Sequence, residues 1–284
     1  MKNPIKLASL LVFTMVFFAA CSSASKMTTL TTSIPHESFL FIIKKITFSI
    51  CPADISIEEK KQSVEEQCAK VGEASISGSG FVVASDGTDS WGITAGHVCA
   101  DDQMMLRAPD GSLIEPKIEN SVRVMILGGE AYRADVEAIY PSLDLCVLHI
   151  KGMLSDRLVE MSDEPPIRGE RSYVMSAPLG TFGPDLLPIF EGFYNGRTMN
   201  YPPPMGGEKL PYSVFTIPTK GGSSGSPILN SKGKLVGVTS GTLVGFENIA
   251  FSPPYEGVKE VVDKVKTQAF ESYWKRQTHL DSGR

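Results

Sequence analysis

Basic residues are too few and too scattered in this chain to form a nucleic-acid-binding surface. The 284 residues carry 27 Lys and Arg against 32 Asp and Glu, a formal net charge of −5, and contain no Lys/Arg-rich block. Such a block is the usual electrostatic footprint of nucleic-acid binding. The 5 cysteines lack the paired spacing of a zinc site. The sequence therefore indicates no nucleic-acid partner, no metal and no other cofactor.

Long apolar runs are also missing, except for one near the N-terminus. Met1–Lys6 carries two lysines, Leu7–Phe18 is almost wholly apolar, and Ala19-Ala20-Cys21 follows. A charged region, an apolar region and small residues are typical of a secretory signal, and this apolar region is too short for an ordinary membrane span.

The cysteine at the end of this segment resembles the lipobox of bacterial lipoproteins. In that family the cysteine receives the lipid and becomes the mature N-terminus, so the resemblance implies a signal peptide over residues 1–21 and lipidation of Cys21. Ordinary secretory cleavage nearby is the alternative. Both interpretations predict an exported protein, periplasmic or at the cell surface, and the lipid would anchor it to the membrane.

The other four cysteines lie in an exported chain, where disulfides can form. Cys51 and Cys68 bracket a short polar segment and are the predicted disulfide pair. Cys99 and Cys146 lie within apolar runs, where free buried thiols are expected.

Glycine and proline are plentiful, with 26 and 19 residues, and the segments between them are short and rich in β-branched side chains. This pattern predicts an all-β protein with about a dozen strands, arranged as two antiparallel six-stranded β-barrels. We expect a tether over 22–37, a barrel over about 38–155, a second over about 165–253, a helix over 255–277 and a tail over 278–284. A helical insertion is predicted for Ser56–Lys70, because Ser56 and Glu59 have the spacing of a capping box.

One glycine-rich segment, Thr219–Pro227, precedes a predicted hairpin. Glycine has no Cβ, so backbone N–H groups in such a loop can converge on one point. A serine there would be a nucleophile with amides beside it to stabilise an oxyanion. The alternative is an ordinary turn or linker, the commonest use of Gly/Ser runs.

A nucleophilic serine needs a base, and the chain has only 4 histidines. His36 lies in the predicted tether, His279 in the predicted tail and His149 inside an apolar strand, where a structural role is expected. His97 ends a predicted strand beside small residues and is the best candidate base. Asp144 opens a strongly apolar strand, and a buried carboxylate there needs a partner such as His97. A turn or cap is the alternative role for Asp144.

The order His97, Asp144, Ser224, within the motifs Thr-Ala-Gly-His, Asp-Leu-x-Val-Leu and Gly-x-Ser-Gly-Ser-Pro, resembles the chymotrypsin-fold serine peptidases. The similarity is greatest to their bacterial branch of HtrA-type and glutamyl-endopeptidase-like enzymes. It implies a serine endopeptidase with Ser224 as nucleophile, His97 as general base and Asp144 as the acid that orients it. It also implies an oxyanion hole formed by the N–H groups of Gly222 and Ser224. Thr219, Ser240 and Gly241 then correspond to substrate-binding positions, and the substrate is a protein or peptide.

Two departures from this family carry information. Ser223 stands where trypsin-like digestive enzymes have an aspartate that pairs with a newly cut N-terminus, so activation by N-terminal cleavage is not expected. No acid stands near Pro218-Thr219 or in the segment 238–242, so a preference for Arg or Lys lacks its counter-charge. Lys220 would favour an acidic residue unless it is solvated, and small or apolar residues are the default expectation. No PDZ-like region follows the predicted helix.

Two other functions are compatible with parts of the sequence. An α/β-hydrolase would also contain Gly-x-Ser-x-Gly, but that motif requires a helix after the serine, and here Pro227 and a hairpin follow. The second is a non-catalytic surface lipoprotein that keeps the peptidase fold for binding, because a fold alone does not determine function.

Overall fold

The computed structural model describes residues 34–50, 68–100, 106–107, 113–114, 116–199, 201–243 and 245–282. The chain divides into Met1–Ile34 and a single folded unit, Pro35–Arg284. The predicted signal peptide, the lipidation site Cys21, Cys51 and nearly all of the predicted helix Ser56–Lys70 lie outside the described residues. No helix in the described part of the chain is both long enough and apolar enough to cross a membrane.

The first half of the folded unit is a closed antiparallel barrel. Its strands follow the order β1-β2-β3-β8-β7-β6. They are β1 (Phe39–Ile50), β2 (Ala69–Ser85), β3 (Ser90–Ala95), β6 (Lys117–Met125), β7 (Ala131–Tyr140) and β8 (Leu145–Ile150). Alternate side chains of such strands point inward, and the barrel core contains Leu40, Ile42, Val82, Val124, Leu148 and Ile150. A one-turn helix, α1 (Gly96–Cys99), follows β3, and β4 (Leu106–Arg107) pairs with β5 (Leu113–Ile114).

The second half is one seven-stranded antiparallel sheet in the order β13-β12-β9-β10-β11-β15-β14. Its strands are β9 (Arg171–Met175), β10 (Ile189–Arg197), β11 (Ser213–Thr216), β12 (Pro227–Asn230), β13 (Leu235–Val238), β14 (Gly241–Leu243) and β15 (Phe246–Ser252). A second apolar cluster lies on this sheet and includes Val174, Phe215, Ile217, Ile228, Val236 and Ala250. The sheet leaves β14 as an edge strand.

The long helix α2 (Tyr255–Ser282) closes the domain by packing against β2, β3 and β13. Val258, Val261, Val262 and Val265 are buried, as their helical spacing predicts. Phe270 and Trp274 lie farther along the helix and are 62% and 52% exposed. The helix also continues through residues 278–282, which were expected to form a tail.

The all-β, chymotrypsin-like architecture is confirmed, with a closed six-stranded barrel, a second β half and a C-terminal helix. The second half differs from the predicted six-stranded barrel, because it is an open seven-stranded sheet in which β14 pairs only with β15. At the N-terminal side, a 3₁₀ turn over His36–Ser38 already belongs to the folded unit, although residues 36 and 37 were assigned to the tether. Ala69 and Lys70 begin the strand β2 instead of ending a helix.

The expectation of free thiols at Cys99 and Cys146 is wrong, because these two residues form a disulfide. Cys99 lies two residues after His97 in α1, and Cys146 lies two residues after Asp144 in β8. Strands β3 and β8 pair directly, with Thr94 opposite Cys146, so the register that aligns His97 with Asp144 also brings the two cysteines together. Cys68 is also disulfide-bonded, but Cys51 is outside the described residues, so the Cys51–Cys68 pair stays a prediction.

Candidate active site

Three side chains from the two halves of the domain form a continuous hydrogen-bonded row. Ser224 Oγ lies 2.8 Å from His97 Nε2, and His97 Nδ1 lies 2.9 Å from Asp144 Oδ2. Asp144 is fully buried, whereas the His97 side chain is 34% exposed. A neutral imidazole in this arrangement donates from Nδ1 to the carboxylate and accepts at Nε2 from the serine hydroxyl, which is the arrangement that activates a serine nucleophile.

The backbone around Asp144 fixes the direction of its carboxylate. Asp144 ends the 3₁₀ turn Pro141–Leu143 in the left-handed region, with φ 48° and ψ 48°. Its carbonyl accepts from the Gly96 N–H at 2.9 Å, and its Oδ1 accepts from the His97 N–H at 2.9 Å. An aspartate tolerates this conformation better than most residues do. The carboxylate is therefore held against both the backbone and the ring of His97.

The sequence context predicted that His97 ends a strand, but His97 lies in the one-turn helix α1. The preceding strand stops at Ala95, and Gly96 then turns the chain toward Asp144. A Cβ at Gly96 would lie 2.5 Å from Met205 Sδ and 3.1 Å from Asp144 Oδ1. The space for the close approach of α1 to Asp144 therefore depends on glycine at position 96.

Ser240, which the sequence places at a substrate-binding position, donates its hydroxyl to Asp144 Oδ2. Its backbone N–H donates to Phe251 O at 2.8 Å, and the residue is 2% exposed. The Asp144 carboxylate thus receives hydrogen bonds from the His97 ring, the His97 backbone and Ser240. The hydroxyl of Ser240 acts on the carboxylate that orients His97, a role that the sequence did not indicate.

Two tyrosines lie near this carboxylate, Tyr212, which is buried, and Tyr201, which is partly exposed. Burial raises the pKa of Tyr212 well above its usual range, and the negative charge of Asp144 raises it further. Burial and the same charge also raise the pKa of Tyr201. Both phenols therefore stay neutral in the pH range where a His97–Asp144 pair would operate.

The segment Thr219–Pro227 forms a tight loop before β12, as the sequence predicted, and Ser224 projects from it toward His97. Gly222 has φ +93° and Gly225 has φ +86°, conformations that favour glycine. Within the described residues, neither the Gly222 N–H nor the Ser224 N–H donates to a protein acceptor. Two free amides beside the nucleophile are what an oxyanion hole requires.

Two residues outside the predicted site, Leu179 and Ser79, hold this loop. Leu179, in the left-handed region with φ 53°, donates its N–H to Gly221 O at 2.7 Å. Ser79 of β2 donates its hydroxyl to Gly222 O at 2.9 Å. The only signal for Ser79 was its position between glycines in Gly78-Ser79-Gly80, a pattern of close backbone approach. That approach is observed, because a Cβ at Gly225 would lie 2.1 Å from Ser79 O.

The other residues predicted for the site differ in exposure and partners. Thr219 is 6% exposed and donates its N–H to Glu247 O at 2.8 Å. Lys220 forms an ion pair with Glu247, which balances the charge that would favour an acidic substrate. Gly241 is partly exposed in the edge strand β14.

His149 has the structural role that its position in the strand β8 indicated. Its Nε2 lies 2.9 Å from Asp89 Oδ2, and its ring stacks on Trp91 with the ring centroids 4.8 Å apart. No helix follows Ser224, which is followed instead by the strand β12. The nucleophile elbow of an α/β-hydrolase is therefore absent from this part of the chain.

Comparison with known proteins agrees with this geometry. The family model of the trypsin-like peptidase domain matches residues 78–238, more than half of the chain. The chain belongs to the trypsin-like peptidase family. The matched range begins at Gly78 beside Ser79, contains His97, Asp144 and Ser224, and ends with β13.

Relatives of this peptidase include bacterial proteins of the Deg/Htr type. A protein of Ectopseudomonas mendocina named "Probable periplasmic serine endoprotease DegP-like" is 28% identical over 200 residues, which is 68% of this chain and 36% of the relative. The "Serine protease Do-like HtrB" of Bacillus subtilis is 25% identical over 151 residues, covering 51% of this chain and 32% of the relative. The chain therefore spans about a third of the length of the curated relatives that it matches.

Solved structures share the fold at lower sequence identity. The active form of the Rv3671c protease of M. tuberculosis has a TM-score of 0.54 and 20% identity, covering 84% of each chain. The HtrA-type protease AlgW, solved with a decapeptide, has a TM-score of 0.56 and 16% identity, covering 83% of this chain and 66% of that one. These similarities support the chymotrypsin-like fold of this peptidase.

Proposed function

We propose that this protein is an exported serine endopeptidase that cleaves protein or peptide substrates through an acyl-enzyme on Ser224. The observation that carries the proposal is the hydrogen-bonded row Ser224–His97–Asp144, with distances of 2.8 and 2.9 Å. It lies in a chain of the trypsin-like peptidase family. Both the geometry and the order of the three residues along the chain fit this chemistry.

In the proposed reaction, Ser224 Oγ attacks the substrate carbonyl carbon while its proton moves to His97 Nε2. The tetrahedral intermediate collapses when the C–N bond breaks, and His97 returns the proton to the departing amine. Water, deprotonated by the same nitrogen, then attacks the ester, and Ser224 recovers its proton. Asp144 keeps the proton of the neutral ring on Nδ1 and stabilises the imidazolium that forms twice per cycle.

The free N–H groups of Gly222 and Ser224 would bind the oxyanion of each tetrahedral intermediate. They have no acceptor within the described residues, so no protein group competes with the substrate oxygen. Donors that are already oriented need no reorganisation when charge develops, and losing one generally costs on the order of 10²–10³ in rate.

The edge strand β14 is the proposed binding site for the substrate backbone. It pairs with β15 on one side only and begins at Gly241, next to Ser240 and close to Asp144. An extended peptide can add to such an edge as a further strand. Thr219 and Ser240 are buried and would shape the pocket wall from behind, while Gly241 would contact the peptide.

The absence of a net charge near this strand argues against charged side chains on the acyl side of the cleaved bond. Lys220 is paired with Glu247, and no other charged residue lies in the segments 217–220 and 238–243. Small or apolar side chains are therefore the proposed preference at the cleavage site.

Activity is tested by a fluorophosphonate probe, which reacts with activated serines, together with a peptide library. We expect probe labelling and hydrolysis by the natural sequence, and loss of both in Ser224→Ala and His97→Ala. Ser223→Ala is the matched control for the neighbouring serine, since the Ser223 hydroxyl accepts from the Lys220 N–H and not from His97. Absence of both labelling and hydrolysis in the natural sequence would favour the non-catalytic binding protein instead.

We also propose that a lipid on Cys21 anchors the protein in the membrane, which would place the peptidase in the periplasm or at the cell surface. The support is the lipobox-like sequence Ala19-Ala20-Cys21 after an apolar run. Mass spectrometry of the mature N-terminus is the test. An unmodified terminus, or cleavage away from Cys21, would contradict the lipid anchor without affecting the peptidase proposal.

A further inference from the structure

Ser79 connects the first barrel to the loop that carries the nucleophile. It lies in β2 and is completely buried. Its N–H donates to Ser224 O at 2.8 Å, and its hydroxyl donates to Gly222 O at 2.9 Å. The same hydroxyl accepts from the Ala177 N–H at 3.1 Å, and the Ser79 carbonyl accepts from Thr94 Oγ1 at 2.7 Å. One serine thus holds three separate segments of the site.

The hydroxyl of Ser79 acts on the residue that supplies one of the proposed oxyanion donors. Gly222 has φ +93° and no side chain, so little in its own structure resists rotation of the peptide units on either side. The carbonyl before it, Gly221 O, is held by the Leu179 N–H at 2.7 Å. The carbonyl after it, Gly222 O, is held by Ser79 Oγ.

These two hydrogen bonds together define the direction of the Gly222 N–H. In a planar trans peptide the C=O and N–H groups point in opposite directions. Holding Gly221 O against Leu179 therefore turns the Gly222 N–H to the other side of the loop. The hydrogen bond from Ser79 to Gly222 O holds the peptide unit between Gly222 and Ser223. That unit then cannot rotate and change the conformation of Gly222.

Removing the Ser79 hydroxyl would leave two backbone groups without their partner. Gly222 O would lose its donor and the Ala177 N–H would lose its acceptor; Ser79 and Ala177 are completely buried, and Gly222 is partly exposed. Buried polar groups without partners are costly, and rotation of the flexible Gly222 is the simplest way for its carbonyl to find another donor. That rotation would misdirect the Gly222 N–H.

We propose that Ser79 is a positioning residue for the oxyanion hole. Its hydroxyl makes the orientation of the Gly222 N–H depend on contact between the first barrel and the nucleophile loop. Ser79 does not touch the reacting atoms and acts only through Gly222. The inference rests on the proposed serine peptidase activity. It gives Ser79 a role in that activity that differs from the roles of His97, Asp144 and Ser224.

The test compares Ser79→Ala with Ser79→Thr and a control on the same strand. Ser79→Ala is expected to lower kcat by roughly 10–100-fold and to change KM less than about threefold. This loss in kcat is smaller than the loss caused by deleting an oxyanion donor. Ser79→Thr keeps a hydroxyl and is expected to recover most of kcat. Ser75→Ala, an exposed serine of β2, is the matched control and should leave kcat unchanged.

A transition-state mimic distinguishes a positioning role of Ser79 from a purely structural role. A peptide boronic acid forms a tetrahedral adduct on the serine and places an oxygen in the oxyanion hole. Its inhibition constant should rise in Ser79→Ala by the same factor as kcat/KM falls, because both depend on the same N–H. If Ser79→Ala does not fold, Ser79→Cys, which keeps a side chain of similar shape but is a weaker donor, should show the same two changes in a smaller measure.

The outcomes distinguish this inference from the function on which it rests. If the natural sequence is active and a folded Ser79→Ala keeps kcat within about threefold, Ser79 does not position the hole and the inference is overturned. The inference is also overturned if kcat falls without a parallel loss of boronic acid binding. A natural sequence that neither reacts with the probe nor hydrolyses peptides refutes the peptidase proposal itself.

Discussion

The Cys99–Cys146 disulfide should stabilise the fold strongly and affect catalysis very little. It joins residues 47 positions apart, both almost completely buried behind His97 and Asp144. Chain entropy predicts that closing a loop of this length stabilises the native state by on the order of 4 kcal/mol, although native strain often reduces the measured value. In a domain of this size that corresponds to a fall in Tm of roughly 8–16 °C when the crosslink is removed.

Catalysis should depend less on this bond because other contacts hold the same two segments. Strands β3 and β8 pair along their full length, and both Gly96 and His97 donate backbone hydrogen bonds to Asp144. We therefore expect Cys99→Ala/Cys146→Ala to keep kcat within about threefold at temperatures well below its Tm. Stability and activity are thus predicted to respond very differently to the same change.

The assay is urea unfolding followed by far-UV circular dichroism, in a Ser224→Ala background that prevents self-cleavage. As a control, the double variant is also unfolded under reducing conditions. The difference between its reduced and oxidised forms measures the contribution of the disulfide at Cys68. A loss of less than about 1 kcal/mol would refute the loop-closure reasoning. A folded double variant with kcat reduced by tenfold or more would show that the alignment of His97 with Asp144 needs the disulfide.

Two further predictions concern the surroundings of Asp144. Ser240→Ala should lower kcat by about tenfold, with KM little changed, because a hydrogen bond to a buried carboxylate is lost; unchanged steady-state kinetics would contradict this. Tyr212 has a raised pKa in the native state, so the unfolded chain loses that proton first as pH rises above about 10. From this group, stability should then fall by a total of about 1.4 kcal/mol between pH 9 and 11, mostly above pH 10, and Tyr212→Phe should remove that loss in urea unfolding measured across this range.

The sequence was informative about the fold because alternation and turn residues act locally. The apolar strand predicted after Asp144 is β8, and the helix predicted over 255–277 is α2, in which Val258, Val261 and Val265 are buried. Residues at the ends of elements were predicted less well. His97 lies in α1 instead of a strand, since Gly96 turns the chain toward Asp144, which is 48 residues away in the sequence.

The candidate site was predicted in its reactive groups but not in their support. Histidine is rare in this chain, so His97 could be selected by elimination and its motif, and Ser224 by its glycine-rich loop. Serine is common, and the glycines beside Ser79 indicate close backbone approach without identifying its partner, while nothing local to Ser240 indicates a bond to Asp144. Their roles depend on acceptors 143 and 96 residues away, Gly222 O and Asp144 Oδ2.

The reactive residue types, their order and the backbone freedom of the loop Thr219–Pro227 follow directly from the sequence, because these are properties of single residues and near neighbours. Which groups meet depends on the tertiary structure. It paired Cys99 with Cys146, directed the Ser240 hydroxyl to Asp144, and brought Ser79 to the glycine-rich loop. The physical reason is that hydrogen bonds and disulfides require approach within a few ångströms, and for residues far apart in the chain that approach is set by how the strands pair and the two halves pack.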